Sequence, residues 1–324
     1  MDSTDESFSP INQAYARVFR PRRLSLGLVV PLEHYEDGPV PSMERHVERA
    51  QLAEELGFGA IWLRDVPFNV PSFGDAGQTY DPFVYLGFLA AKTNQIALAT
   101  GSIILPLRHP AHVAKAAATT DQLSGGRLLL GVASGDRPDE YPALDVPFEN
   151  RNERFRDSFK YIRKMADDYP DFDTRQGRSD GQMDMLPKPT ADRLPLLITG
   201  GSRQSPEWVA EHGDGWITYP REVAAQAGVV AAYRAKTRDA GESEKPVSQS
   251  LYIDLVEDGE PHPRPIHLGF RSGVEYLRFH LKSLEKIGIN HVCINLRFNQ
   301  ADIEDTLRLV AREILPHFPL SHQS

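Results

Sequence analysis

Residues 93–136 read TNQIALATGSIILPLRHPAHVAKAAATTDQLSGGRLLLGVASGD. Two β-branched or leucine-rich runs, Ile96–Leu105 and Leu128–Val132, bracket an alanine-rich segment of helical character. Pro110 stands where a helix over Ala111–Gln122 would begin, a position that tolerates its missing N–H. Each run ends in small residues, Thr100-Gly101-Ser102 and Ala133-Ser134-Gly135. Small residues at strand ends let a flat, bulky ligand approach the backbone. In α/β folds the C-terminal ends of strands are where ligands sit. The stretch is therefore one β/α unit with a candidate binding edge.

The same alternation continues on both sides. Strands are expected at Leu24–Pro31, Ala60–Leu63, Ile96–Gly101, Leu128–Val132, Leu196–Thr199, Gly215–Thr218, Gln249–Val256 and His291–Leu296. Helical spacing links them: Met43 to Leu56 with Ser42 as N-cap and Gly57 as stop, then Pro82–Lys92, Asn152–Asp167, Pro206–Glu211, Val223–Ala240, Val274–Ile287 and Ile303–Leu315. Nearly continuous apolar strands are buried on both faces, as in a parallel sheet covered by helices. Eight such units predict an α/β fold, a closed (β/α)8 TIM barrel forming a single domain over residues 23–324. Residues 1–22 read as a polar N-terminal extension. Residues 168–195, rich in Asp, Pro and Gly, read as a surface insertion with one short strand.

Composition removes several function classes. The 324 residues carry a formal charge of −9, from 36 basic and 45 acidic side chains, without a basic run. That balance argues against nucleic acid and anionic membranes as partners. Cys293, the single cysteine, lies in an apolar run and predicts a buried thiol rather than a disulfide or metal ligand. No metal-binding motif occurs. The acidic start MDSTDESFSPINQ is unlike a signal peptide, and no apolar stretch reaches spanning length, so a cytoplasmic protein is expected.

Ile198 to Glu207 reads ITGGSRQSPE. A strand ends, two glycines turn the chain, and Ser205 can cap a helix opened by Pro206. Free N–H groups, hydroxyls and the helix end together make an anion site; the same residues also suffice for a plain capped turn. Neither the Walker spacing nor GxGxxG is present. Asp65 directly follows a strand, where barrels place catalytic or substrate-binding groups, yet it also suits a salt bridge with Arg64 or another base. Tyr141 is open between a hydroxyl contact to ligand and rim packing. His109 suits helix capping, His262 and His267 suit solvated loop positions, and Arg127 suits the stabilising bottom of the barrel.

Several segments in order resemble the bacterial luciferase-like flavin monooxygenase family. They are residues 53–63 (AEELGFGAIWL), 100–106 (TGSIILP) with His109-Pro110, 121–127 (DQLSGGR) with Gly131 and Gly135, 140–148 (EYPALDVPF), the Gly200–Trp208 loop, and Gly288–His291. The resemblance implies reduced FMN, or a deazaflavin coenzyme, bound at the C-terminal face of the barrel. It assigns Gly200, Gly201, Ser202 and Ser205 to the phosphate, Ser134 and Gly135 to the phosphate side of the ring, and Gly101-Ser102 to a non-proline cis peptide beneath it. It further implies a separate flavin reductase, oxygen and a small organic substrate as partners, and a homodimer. True luciferases carry a histidine where this chain has Val66, and a lid longer than Glu257–Ser272, so light emission is not expected. A deazaflavin-dependent hydride-transfer enzyme, for which Arg203 offers a cation, and a non-catalytic flavin-binding protein stay open beside the monooxygenase.

Overall fold

The computed structural model describes residues 7–36, 38, 40–256 and 262–320. Its barrel strands are β1 (Ser25–Val29), β2 (Ala60–Leu63), β3 (Ala97–Thr100), β4 (Leu128–Ala133), β5 (Leu196–Thr199), β6 (Gly215–Thr218), β7 (Val247–Val256) and β8 (His291–Asn295). They pair in chain order, all parallel, and β8 returns to β1 with Cys293 opposite Gly27. The ring is therefore closed, the (β/α)8 barrel expected from the apolar runs. Helices at Pro82–Lys92, Pro110–Ser124, Arg151–Lys164, Pro206–His212, Val223–Asp239, Val274–Lys286 and Ile303–Glu313 lie between and after the strands.

The strand pleat divides each apolar run between two cores. Leu26, Leu28, Ile61, Leu63, Leu98, Leu128, Leu130 and Ile198 share the larger core with helix residues such as Leu86, Leu281 and Leu307. Val29, Ala60, Trp62, Ala97, Ala99, Leu129, Leu197 and Cys293 form the second, smaller core. Phe8, Ala14, Tyr15, Val18 and Phe19 belong to that second core, contributed by the helix Gln13–Val18 and its flanks. Asn12 donates to Asp121 and to the Leu128 carbonyl at 3.0 and 2.8 Å, and the Tyr15 hydroxyl donates to the Asp214 carbonyl at 2.7 Å. Residues 7–22 are thus packed beneath the barrel rather than extended from it. The six-residue helix Gln13–Val18, among polar neighbours, is too short for a helical period to show this. Residues 1–6 of the expected extension lie outside the described residues, as do 257–261 of the segment compared with the luciferase lid.

Two other expectations change. The 168–195 insertion carries an antiparallel hairpin, Asp171–Thr174 with Gly177–Asp180, instead of one strand. Ser42 does not cap the next helix, which starts at His46 after Arg45 in a left-handed conformation; the Ser42 amide and hydroxyl both donate to Glu33.

His291 lies fully buried inside the ring. Trp62 donates its indole N–H to Nε2 at 3.0 Å, and Nδ1 lies 2.7 Å from the Ser25 hydroxyl, which in turn donates to the Val18 carbonyl at 2.7 Å. Indole is a donor only, so Nε2 accepts and the proton sits on Nδ1. Burial lowers the imidazole from 6.5 to about 3. The folded chain then binds fewer protons than the unfolded chain below pH 6.5, and stability falls as pH drops through that window. The loss attributable to His291 is about 3 kcal/mol between pH 7 and pH 4. Urea denaturation of the parent and of His291→Gln at both pH values should show the parent losing more by that margin; equal losses would refute the assignment.

Candidate active site

The C-terminal strand ends surround a cleft of about 720 Å³. Arg64, Asp65 and Val66 enter it after β2, Gly101, Ser102 and Ile104 after β3, Ser134 to Arg137 and Glu140 after β4, and Thr199 to Arg203 after β5. Tyr219, Tyr252, His267 and Asn295 complete the far wall. The structure thus brings Asp65, Gly101, Ser102, Ser134, Gly135, Gly200, Gly201 and Ser202 to one cleft, and leaves Ser205 and Tyr141 off its lining.

The floor is built from close backbone approaches. The Gly101 amide donates to the Leu63 carbonyl at 2.6 Å, the Thr100 hydroxyl donates to the Gly131 carbonyl at 2.8 Å, and Ser102 and Thr199 share a hydroxyl contact. The Gly101–Ser102 peptide is cis, as the resemblance implied. Gly135 has φ +74°, and a Cβ there would fall 2.7 Å from an Ile104 methyl and 2.9 Å from the Tyr141 hydroxyl. Tyr141 is fully buried, and its hydroxyl donates to the Ser134 carbonyl. It packs under the turn, the rim-packing alternative of the two left open for it.

The turn after β5 has three residues with positive φ, Gly200 (54°), Ser202 (44°) and Arg203 (60°). Among the described residues, the N–H groups of Gly201, Ser202 and Arg203 make no hydrogen bond, while Gln204 N–H closes the turn onto the Gly201 carbonyl at 2.8 Å. Successive unbonded amides in such a turn form an anion-binding concavity. Both serine hydroxyls expected there also bond within the fold. Ser202 donates to the Thr199 carbonyl at 2.8 Å, and exposed Ser205 accepts the Trp208 amide at 3.2 Å as N-cap. The candidate anion site thus offers free backbone amides, with Arg203 also lining the cleft. The residues fit a flat, phosphorylated cofactor: the amide turn suits the phosphate, and the small residues Gly101, Ser102, Ser134 and Gly135 line the floor of the same cleft.

Asp65 is held between partners. Arg108 grips both carboxylate oxygens, Nε to Oδ2 at 2.8 Å and Nη2 to Oδ1 at 2.7 Å, and the Ile104 amide donates to Oδ2 at 3.1 Å. A carboxylate with both oxygens engaged positions its neighbours rather than moving protons, so the salt-bridge alternative describes it, with Arg108 in place of Arg64. Arg64 instead pairs with Asp75 at 2.8 Å. Burial opposes the Asp75 charge, but Arg64 and Arg297 and the Gly77 amide hold its carboxyl below the ordinary value.

Glu140 was not singled out in the sequence. Its side chain is 3% exposed at 4.0 Å from Arg137. Burial pushes its carboxyl up to about 7, against the pull of Arg137 and with a further push from Asp65 and Asp136. His267 sits at the turn of a second hairpin, Arg264–Ile266 with Gly269–Gly273, whose latter strand runs parallel to β7. It is exposed, as expected of a loop position, with its ring 5.6 Å from Tyr252 at the cleft wall. His109 caps Ala111 at 3.2 Å, and buried Arg127 donates to the carbonyls of Ala90, Thr93, Ile96 and Ser124, both as expected. Among the described residues no helix is long and apolar enough to cross a membrane.

The family model described as luciferase-like monooxygenase matches residues 24–256. An uncharacterised protein of Mycobacterium tuberculosis is 33% identical over 196 residues, covering 54% of this chain and 67% of that protein. The F420-dependent hydroxymycolic acid dehydrogenase of the same organism is 29% identical over 226 residues, 68% of this chain and 60% of that protein. The fold of monooxygenase RslO1 from Streptomyces bottropensis superposes with a TM-score of 0.76 at 21% identity, over 91% of this chain and 99% of that one. The chain belongs to the luciferase-like monooxygenase family of enzymes.

Proposed function

We propose that this enzyme is a monooxygenase that uses reduced FMN, delivered by a separate reductase, to oxygenate a small organic substrate. One observation carries the proposal: an amide turn suited to a phosphate and a glycine-lined floor suited to a flat ring open into the same cleft. Gly201, Ser202 and Arg203 would hold the phosphate through their amides, and Gly101, Ser102, Ser134 and Gly135 would face the ring. When bound, reduced FMN supplies the two electrons that activate oxygen. The chain's own contribution is placement and exclusion of water. Arg108 fixes Asp65 and with it the Ile104 amide, Tyr141 holds the Ser134 carbonyl, and the His267–Leu268 turn covers the substrate side.

A second reading replaces FMN by the deazaflavin coenzyme and oxygenation by hydride transfer. Arg151 and Arg203 favour it, because both line the cleft and the Arg151 Nε is buried without a partner. Anaerobic titration with reduced FMN and with the reduced deazaflavin, followed by oxygen, separates the two. Tight FMN binding supports the first, binding of the deazaflavin alone replaces it with the second, and binding of neither removes both. Arg203→Glu is expected to weaken FMN by about ten- to a hundredfold and leave riboflavin, which lacks the phosphate, unchanged. Equal loss for both ligands would move the phosphate away from this turn.

A further inference from the structure

Within the oxidoreductase reading, on which this step rests, we propose that Tyr252 and Asn295 form a binding site for the carboxylate group of an organic substrate. They stand side by side at the ends of β7 and β8, where the strand register pairs them directly, and both line the cleft. In the closed ring β7 lies across from β3 and β8 across from β4. The cis peptide follows β3, and Ser134 and Gly135 follow β4. A cofactor ring seated on that side therefore leaves the β7–β8 wall facing whatever it acts on.

Both side chains are held in place, and both keep a donor unspent. Asn295 is 2% exposed and Tyr252 8%. Asn295 Oδ1 accepts the Arg297 amide at 3.0 Å, which fixes the orientation of the side-chain amide and leaves Nδ2 as its free donor. The Tyr252 ring packs edge-on to His267 at 5.6 Å and against Phe298 at 5.5 Å. Among the described residues neither Asn295 Nδ2 nor the Tyr252 hydroxyl has a hydrogen-bond partner. Unlike Arg64 Nε, which is sealed in, each keeps surface open to the cleft. Buried side chains rarely leave polar atoms unpaired, and two neighbouring donors open to a cleft mark where a ligand acceptor belongs.

The charges around the pair choose the ligand. Burial raises the Tyr252 hydroxyl above its ordinary value, so it stays protonated and donates; of the charges that reach it, Arg64 and Arg297 favour a negative charge and Asp75 opposes one. Both arginines share that one carboxylate, at 2.8 and 3.1 Å. Two guanidinium groups thus answer a single Asp75, and one positive charge is left in excess beside the donors. The other acids do not cancel it. Asp65 is gripped by Arg108, Asp254 is held by Arg271, Glu140 faces Arg137, and Asp136 follows β4, across the ring from Asn295. A carboxylate takes a hydrogen bond on each oxygen and also answers the excess charge, whereas a neutral acceptor takes the hydrogen bonds alone.

Calorimetric titration of the FMN-loaded protein with benzoate and cyclohexanecarboxylate, and with benzamide and cyclohexanecarboxamide as neutral partners of the same shape, tests the site without turnover. Each carboxylate should bind about tenfold or more tightly than its amide. Tyr252→Phe, which removes one donor, should weaken the carboxylates about five- to tenfold. Asn295→Asp, which puts a negative charge of the same size in place of the other donor, should abolish the preference. FMN binding by both variants reports that they fold. Equal affinity for carboxylate and amide in the parent, binding of neither, carboxylate affinity indifferent to Tyr252→Phe, or a preference that survives Asn295→Asp overturns the carboxylate site while FMN binding upholds the cofactor reading. The parent preference needs no variant, so misfolding of a variant leaves the test intact. Loss of FMN binding in the parent would instead strike the cofactor reading, and the same titrations on the cofactor-free protein would then decide the carboxylate site by the same preference.

Discussion

Gly131→Ala is expected to destabilise the barrel by at least ~3 kcal/mol and to abolish ligand binding in the cleft. Gly131 lies in the middle of β4, opposite Leu197 of β5. On its other side, β3 and β4 pair at Leu98 with Leu128 and at Ala99 with Leu129, and pairing resumes only at Ile103 with Val132. Between those points Thr100–Ser102 bulges, and the Thr100 carbonyl is pushed against β4. A Cβ on Gly131 would lie 1.9 Å from that carbonyl oxygen and 2.9 Å from an Ile217 methyl. The methyl can rotate aside; the carbonyl is backbone and carries the cleft floor at Gly101–Ser102 with it. Total stabilities of about 5–15 kcal/mol leave little margin for such a shift. Thermal melting and ligand titration check the expectation. A variant melting within about 3 °C of the parent and binding as it does would show that the strands part without cost.

The same residue shows why the fold was more legible than the site. Gly131, like the glycines and alanines around it, sits in an apolar run whose length and composition announce a strand buried on both faces. Each of the eight strands was visible on that ground, and the observed bounds shift by a residue or two where the flanking backbone bonds decide the end. The anion turn was visible too, because glycines and a Ser-Pro cap leave a local signature at 200–206. Only three-dimensional packing shows the Ser202 hydroxyl turned toward Thr199. Asp65 belongs with Arg108, 43 positions away, and no spacing rule links them. Glu140 and Arg137 form an ordinary i, i+3 charged pair in sequence. Their character comes from burial and from Asp65, which a linear pattern does not contain. His267 is exposed, as its loop position implies, but the Pro-rich segment gives no sign of the hairpin that brings it to the cleft.

Arg108→Ala is expected to cost about 3–5 kcal/mol, more than its position outside the barrel strands suggests. The guanidinium is half-buried, but the Asp65 carboxylate it grips is only 2% exposed. Removing the arginine leaves that charge buried with one amide, from Ile104, as its hydrogen-bond donor. The same Nη2 also donates to Asp81 at 2.8 Å, and Asp81 caps the helix Pro82–Lys92 through the Phe83 and Val84 amides. One side chain thus ties the end of β2, the turn after β3 and a helix start together beside the cleft. Most of the expected cost is the stranded carboxylate, so Arg108→Ala with Asp65→Asn should recover a large part of it, while Arg108→Lys should fall between parent and alanine variant because it keeps the charge without the paired grip. A double-mutant cycle read by urea denaturation measures this. Additive effects of the two single substitutions would mean that Asp65 is adequately solvated without Arg108, and that its place at the cleft is set by the β2 backbone alone.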